Sequence, residues 1–119
     1  MPTIAIIDDD LAVRDATGAM LRSLGYATVN YESAEQFLAS DGLSEASCVI
    51  SDVKMPGMSG IDLQKNLIER GRPLPFIFMT AFPRELDKTK AMQAGAFGFL
   101  VKPFAQHSLI DCLKLALHA

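Results

Sequence analysis

The sequence predicts an α/β domain built from five strand–helix pairs, with a doubly wound parallel sheet covered by helices on both faces. Five short apolar runs alternate with segments that carry apolar residues at helical spacing, which is typical of this class. Three of the runs, IAII, FIFM and FLV, are almost continuously apolar, as parallel strands buried on both faces are. The 119-residue chain has no linker, repeat or low-complexity segment, so we expect one domain over residues 1–119.

The predicted strands cover residues 3–7, 27–31, 47–51, 76–79 and 97–101. The first helix follows Asp10, whose carboxylate suits an N-cap, and it stops at Gly25. Its apolar residues place one face inward, formed by Val13, Ala16, Met20, Leu21 and Leu24. Residues 33–36, Ser-Ala-Glu-Gln, indicate a capping box that opens a second, short helix. The third, fourth and last helices are predicted over about residues 60–70, 84–94 and 105–117.

Composition and charge argue against several classes of protein. A net charge of −3 is unlike that of a nucleic-acid-binding surface, which is normally basic. No apolar stretch approaches the length that spans a bilayer, and the first residues, MPTIAIID, lack the basic region of a signal peptide. Two cysteines, Cys48 and Cys112, are too few for a disulfide framework. We therefore expect reduced thiols in a cytoplasmic protein.

Polar side chains follow four of the five predicted strands, at the point where each strand ends. Asp8 and Asp9 follow the first strand, and Asp52 follows the third. Thr80 follows the fourth strand and Lys102 follows the fifth. Because the carboxyl ends of parallel strands meet at one edge of an open sheet, where ligands bind, we expect these groups to converge.

Three carboxylates beside a single lysine would repel one another, which raises the pKa of at least one of them unless a cation is bound. Mg²⁺ suits such a site, because it prefers oxygen ligands and keeps positions for water and phosphate oxygens. In this arrangement Asp52 is placed to attack a phosphoryl group as a nucleophile. The Thr80 hydroxyl and the Lys102 ammonium are donors suited to phosphoryl oxygens.

These features together resemble a known family. The acidic pair after the first strand, an aspartate followed by x-x-Met-Pro-Gly-x-x-Gly, Thr-Ala after the fourth strand and Lys-Pro after the fifth are similar to the receiver domains of two-component response regulators, of the CheY-like type. The stretches YESAEQFL, MPGMSGIDL and QAGAFGFLVKPF resemble the FixJ-like subclass. The resemblance covers the whole chain and implies a flavodoxin-like fold with strand order 2-1-3-4-5.

The resemblance also implies what the acidic residues do. Asp52 would accept a phosphoryl group from the phosphohistidine of a sensor histidine kinase. Mg²⁺ would be bound directly by Asp9 and Asp52, by the backbone carbonyl of Lys54, and through water by Asp8. Such a domain catalyses its own phosphorylation and slow dephosphorylation but turns over no external substrate.

Further roles follow from the resemblance at the other strand ends. Lys102 would contact the phosphoryl group or Asp52, and its peptide bond to Pro103 would be cis. Thr80 would hold a phosphoryl oxygen and act with Phe99 as the switch. The fourth helix, fifth strand and last helix would then form the surface that mediates homodimerisation or contact with an output domain. We expect no nucleic-acid binding by this domain itself and no membrane association.

Several alternatives remain at the level of sequence. The segment Asp8-Asp9-Asp10 also presents the D-x-D of a haloacid dehalogenase-type phosphatase, but the later acidic metal pair of that class is absent. The chain could be a stand-alone receiver, a phosphorylation-independent interaction module, or part of a regulator that controls transcription through a DNA-binding domain outside this chain. Phe82 and Pro83 depart from the FixJ-like pattern, and a bulky Phe82 could screen the acyl phosphate from water.

Overall fold

The computed structural model describes residues 2–118, which form five strands and six helices. In chain order the elements are β1 (Thr3–Ile7), α1 (Leu11–Ser23), β2 (Ala27–Tyr31), α2 (Ala34–Ala39), α3 (Gly42–Glu45), β3 (Cys48–Asp52), α4 (Gly60–Glu69), β4 (Phe76–Thr80), α5 (Glu85–Gln93), β5 (Gly98–Val101) and α6 (Gln106–Leu117). Within this part of the chain, no helix combines the length and the apolar character needed to cross a bilayer.

All five strands are parallel and lie in the order β2-β1-β3-β4-β5, which confirms the predicted fold class and strand order. The register brings the carboxyl ends of the strands together. Ile7 lies beside Ser51, and Asp52 lies beside Met79. Residues that follow β1, β3, β4 and β5 therefore emerge at one edge of the sheet, as expected for an open parallel sheet.

Alternate strand residues point to opposite faces of the sheet and build two core clusters. In β3, Val49 faces the cluster that is completed by Phe37 of α2 and Leu63 of α4. Ile50, the next residue, faces the cluster that is completed by Leu21 of α1 and by residues of α6. Each fully buried aliphatic or aromatic side chain contributes about 1.5–3 kcal/mol. The sheet that carries the strand ends is thus fixed from both sides.

The structure corrects some predicted boundaries. β3 runs one residue later than predicted and includes Asp52, and β4 includes Thr80. Both residues belong to strands because the backbone ladder continues through them, with the Val53 N–H donating to the Met79 carbonyl at 3.0 Å. β5 begins at Gly98, one residue later than predicted. The short helix α3 was not predicted, so the predicted third, fourth and last helices are α4, α5 and α6.

The predicted inward face of α1 is only partly correct. Leu21 is buried, but Ala16 and Leu24 are exposed. Met20, also predicted to face inward, packs partly against the core, and the buried stripe consists of Arg14, Thr17, Gly18 and Leu21. These residues follow the i, i+3, i+4, i+7 spacing of a buried helix face, although two of them are polar.

Candidate functional site

Three carboxylates meet at the carboxyl edge of the sheet. Asp8 and Asp9 directly follow β1, and Asp52 ends the neighbouring strand β3. One carboxylate oxygen of each lies within 4.8 Å of the others. Asp8 is fully buried and Asp52 is 8% exposed, whereas Asp9 is open to solvent. Clustered carboxylate oxygens are the donors that a hard divalent cation such as Mg²⁺ requires, so the residues present fit that ion.

One lysine is shared by two of these acids. Nζ of Lys102, the residue after β5, donates to Oδ2 of Asp8 at 3.0 Å and to Oδ2 of Asp52 at 3.3 Å. The structure therefore joins side chains from three different strand ends. The peptide bond between Lys102 and Pro103 is cis. Lys102 is positioned by β5, whose ladder continues beyond the strand because the Lys102 N–H donates to the Thr80 carbonyl at 2.8 Å.

Asp8 is held at more points than the sequence indicates. Its other carboxylate oxygen, Oδ1, accepts a hydrogen bond from the backbone N–H of Asp10 at 2.9 Å. Its backbone carbonyl accepts from the guanidinium of Arg14 at 2.7 Å, a buried contact. The carboxylate of Asp10 itself caps α1 by accepting from the N–H groups of Ala12 and Val13, so it serves the helix. Arg14 is a positioning group that hydrophobic patterning did not reveal.

Electrostatics within the cluster favour an added cation. Burial raises the pKa of the Asp52 carboxyl, and the nearby charge of Asp8 raises it further, although Lys102 and the Lys54 backbone N–H act in the opposite direction. Burial disfavours the charged form of Lys102, but its hydrogen bond to Asp8 and the charge of Asp52 outweigh burial and raise its pKa. The site contains three carboxylates and one ammonium, so negative charge remains for a divalent ion to balance.

A cleft of about 240 Å³ opens beside this cluster. Its walls are formed by Asp9, Asp10, Asp52, Lys54, Ala81, Phe82 and Lys102. Phe82 is 69% exposed, and Nζ of Lys54 lies 5.6 Å from the centroid of its ring, within the range of a cation–π contact. These two side chains come from the loops that follow the neighbouring strands β3 and β4. Together they form one wall beside the acids.

Thr80 and Phe99 lie on β4 and β5 and are not part of the acid cluster. Thr80 is almost fully buried at the end of β4, and its hydroxyl oxygen accepts from the N–H of Phe82 at 3.0 Å. Phe99 is half-buried in β5, where it lies opposite Phe78. The centroids of these two rings are 6.4 Å apart. The hydroxyl and the aromatic ring that the sequence singled out are thus on adjacent strands.

Comparison with known proteins identifies the family. Residues 4–114 match the family described as "Response regulator receiver domain". The chain belongs to this family. Receiver domains are signalling switches of two-component systems and bind Mg²⁺ at an acidic pocket, and the aspartate cluster of this receiver has carboxylate oxygens placed to hold a metal ion.

Individual relatives agree with this family. The receiver is 40% identical over 114 residues to the response regulator protein TmoT of Ectopseudomonas mendocina, covering 96% of this chain and 52% of that protein. It is 39% identical to the transcriptional regulatory protein FixJ of Bradyrhizobium diazoefficiens, over 96% of this chain and 56% of that protein. The crystal structure of FixJ-N superposes with a TM-score of 0.89 at 32% identity, covering 99% and 94% of the two chains. The chain spans about half the length of the curated relatives that it matches.

Proposed function

We propose that this receiver accepts a phosphoryl group on Asp52 from the phosphohistidine of a sensor histidine kinase, and that the resulting acyl phosphate switches the domain between two states. The observation that carries the proposal is the convergence of Asp8, Asp9 and Asp52 at one site. The Lys102 ammonium joins them there, 3.0 Å from Asp8 and 3.3 Å from Asp52. That arrangement combines a nucleophilic carboxylate, a fixed cation and oxygen ligands for Mg²⁺.

The transfer step uses groups that line the cleft. A carboxylate oxygen of Asp52 attacks phosphorus while the P–N bond to the kinase histidine breaks, and the electron pair of that bond stays on the imidazole nitrogen. The Lys102 ammonium is within reach of the incoming phosphoryl oxygens, because it already contacts Asp52. Hydrolysis later breaks the phosphorus–oxygen bond to Asp52, restores the carboxylate and releases inorganic phosphate.

The Mg²⁺ ligands that we propose are Asp9, Asp52 and the backbone carbonyl of Lys54, with Asp8 acting through water. When bound, the ion supplies positive charge that offsets the carboxylates and the phosphoryl oxygens. Asp8 suits the indirect role, because both of its carboxylate oxygens already accept hydrogen bonds, from Lys102 and from the Asp10 N–H.

The switch that we propose runs through Thr80 and Phe99. The Thr80 hydroxyl moves toward the phosphoryl group, and Phe99 turns into the space behind it, which changes the face formed by α5, β5 and α6. Exposed apolar side chains support an interface role for this face, since Leu86 of α5 is 57% exposed and Val101 of β5 is 46% exposed. The α5–β5–α6 face would mediate homodimerisation or contact with an output domain.

The output that we propose is control of transcription, through a DNA-binding domain outside this chain. The support is that relatives named transcriptional regulatory proteins are about twice as long as this receiver. A stand-alone receiver that regulates a partner protein is the alternative. Free thiols at Cys48 and Cys112 are consistent with the cytoplasm as the site of this relay.

The test is intact-mass analysis after incubation with phosphoramidate and Mg²⁺. Wild type should gain one phosphoryl group and lose it again on standing, and Asp52→Asn should gain none. Equal uptake by both proteins would contradict Asp52 as the acceptor. A parallel assay with a phosphomonoester should show almost no turnover, whereas sustained turnover would favour the phosphatase alternative.

A further inference from the structure

A carboxylate from α2 binds the loop that follows the phosphoacceptor strand. Oε2 of Glu35 accepts a hydrogen bond from the backbone N–H of Met58 at 2.9 Å, across 23 positions of sequence. The same carboxylate lies directly against Gly57, where a Cβ atom would collide with it. Gly57 also has a positive φ of 78°, so its backbone conformation favours glycine at the tip of this loop.

The start of α2 leaves Glu35 free for this contact. The Ser33 hydroxyl caps the helix by accepting from the Gln36 N–H at 3.0 Å. The Gln36 side-chain oxygen accepts from the N–H of Glu32, the residue before the N-cap, at 2.6 Å, so both side-chain bonds at the start of α2 are made without Glu35. The hydrogen bond from the Met58 N–H, and after it the backbone N–H of Glu35 itself, hold the pKa of the Glu35 carboxyl below its ordinary value. The contact is therefore made by an ionised carboxylate.

The loop that Glu35 holds connects Asp52 to α4 and contains Lys54. At its base the Gly60 N–H donates to the Val53 carbonyl at 2.9 Å, which closes the loop. Gly60 in turn sits against the Asp52 carbonyl, where no Cβ would fit. The Glu35 bond at Met58 is a second anchor, at the tip. Lys54 lies between these two anchors and lines the cleft together with Asp9 and Asp52.

We propose that Glu35 is a positioning residue for the phosphorylation site, acting by holding the Gly57–Met58 tip so that Lys54 keeps its place beside Asp52 in the cleft. This inference rests on the proposed function for the identity of the reaction. It assigns Glu35 no contact with Mg²⁺ or phosphate. A group that orients a metal ligand in this way typically changes metal affinity or activity by about 10- to 100-fold when removed.

The variants are Glu35→Ala, which removes the acceptor, and Glu35→Gln, which keeps an oxygen but loses the charge. Glu32→Ala is the matched control, because Glu32 is an exposed glutamate three residues earlier and its removal changes the net charge equally. Three properties are measured: the ¹⁵N and ¹H shifts of the Met58 amide, the Kd for Mg²⁺ by calorimetry, and the rate of phosphorylation by phosphoramidate at low and saturating Mg²⁺.

We expect the Met58 amide resonance to move in Glu35→Ala and the Kd for Mg²⁺ to rise about tenfold, with Glu35→Gln in between and Glu32→Ala like wild type. Phosphorylation of Glu35→Ala should be slow at low Mg²⁺ and recover largely at saturation. The inference is overturned if Glu35→Ala and Glu35→Gln keep the wild-type Kd for Mg²⁺, even if their melting temperatures fall. If wild type itself takes no phosphoryl group, the proposed function fails, and the Mg²⁺ titration still decides the role of Glu35.

Discussion

Nζ of Lys102 lies 3.0 Å from a carboxylate oxygen of Asp8, which precedes it by 94 positions in the chain. The same ammonium contacts Asp52 at 3.3 Å, so one cation joins the ends of β1 and β3 to the end of β5. Asp8 is fully buried, and a buried carboxylate without a partner is costly. The pair is therefore central both to the resting structure and to the proposed chemistry.

Lys102→Met should destabilise the domain in the absence of Mg²⁺, because it leaves Asp8 and Asp52 facing each other without the shared ammonium. We expect a loss of about 2 kcal/mol in the free energy of unfolding, less than for a fully buried pair because Lys102 is partly exposed. Urea denaturation measures the loss, with exposed Lys114→Met as the control. Equal stability of the two variants would argue against the shared pair. Mg²⁺ should restore part of the loss.

Asp52→Asn should stabilise the metal-free protein at neutral pH. Because the pKa of Asp52 is raised in the fold, the folded state binds the proton more tightly than the unfolded state does. The contribution of Asp52 to wild-type stability therefore falls as the pH rises from the ordinary value of 3.8 through the raised pKa, and this deficit stays constant above it.

Melting temperatures across this pH range, measured without divalent ions, check the effect. The advantage of Asp52→Asn should be largest at neutral pH and vanish below the ordinary carboxyl pKa. Asp41→Asn is the control, since Asp41 is exposed and makes no side-chain cap bond. Added Mg²⁺ should stabilise wild type more than Asp52→Asn. An advantage that persists unchanged to low pH would show that repulsion at Asp52 is not its source.

Phe82→Ala should shorten the lifetime of the acyl phosphate. Phe82 forms a wall of the cleft with Lys54, and its removal opens a path for water to the Asp52 side chain. The measurement is the decay of the phosphorylated mass after removal of the donor, with Leu24→Ala as a control at an exposed apolar site at the end of α1. Unchanged decay in Phe82→Ala would mean that the ring does not limit hydrolysis.

Phe99→Ala should be phosphorylated on Asp52 yet fail to associate in response. The ring packs against Phe78 at 6.4 Å between centroids, and its loss uncouples the site from the α5–β5–α6 face. Sedimentation with and without phosphoramidate measures association, and Val29→Ala, on the opposite edge strand, is the control. If phosphorylated Phe99→Ala associates as wild type does, Phe99 has no part in the switch.

The fold and the acid cluster could be predicted because they depend on local signals. Apolar runs mark the strands, and parallel strands bring their carboxyl ends together whatever the intervening helices do. Asp8, Asp52 and Lys102 therefore meet in the structure as the order of strand ends required.

The remaining features depend on tertiary contacts that leave no periodic signal. Arg14 occupies the buried stripe of α1 because its guanidinium bonds the Asp8 carbonyl, whereas hydrophobic periodicity assigned that face to Ala16 and Leu24. Glu35 reads as an exposed helix residue, and its bond to Met58 depends on how α2 packs beside a loop 23 residues away. A four-residue helix such as α3 is too short for any periodic pattern.

Because one ammonium serves two carboxylates, the energetic effects of changing Asp8 and Asp52 are coupled. When one acid is neutralised, Lys102 can pair with the other alone. When both are neutralised, the half-buried Lys102 ammonium loses both of its partners. The changes in the free energy of unfolding caused by the two single substitutions will therefore not add up to the change caused by the double substitution. Engineering that aims to hold this receiver in one state therefore has to change Asp8, Asp52 and Lys102 as one unit.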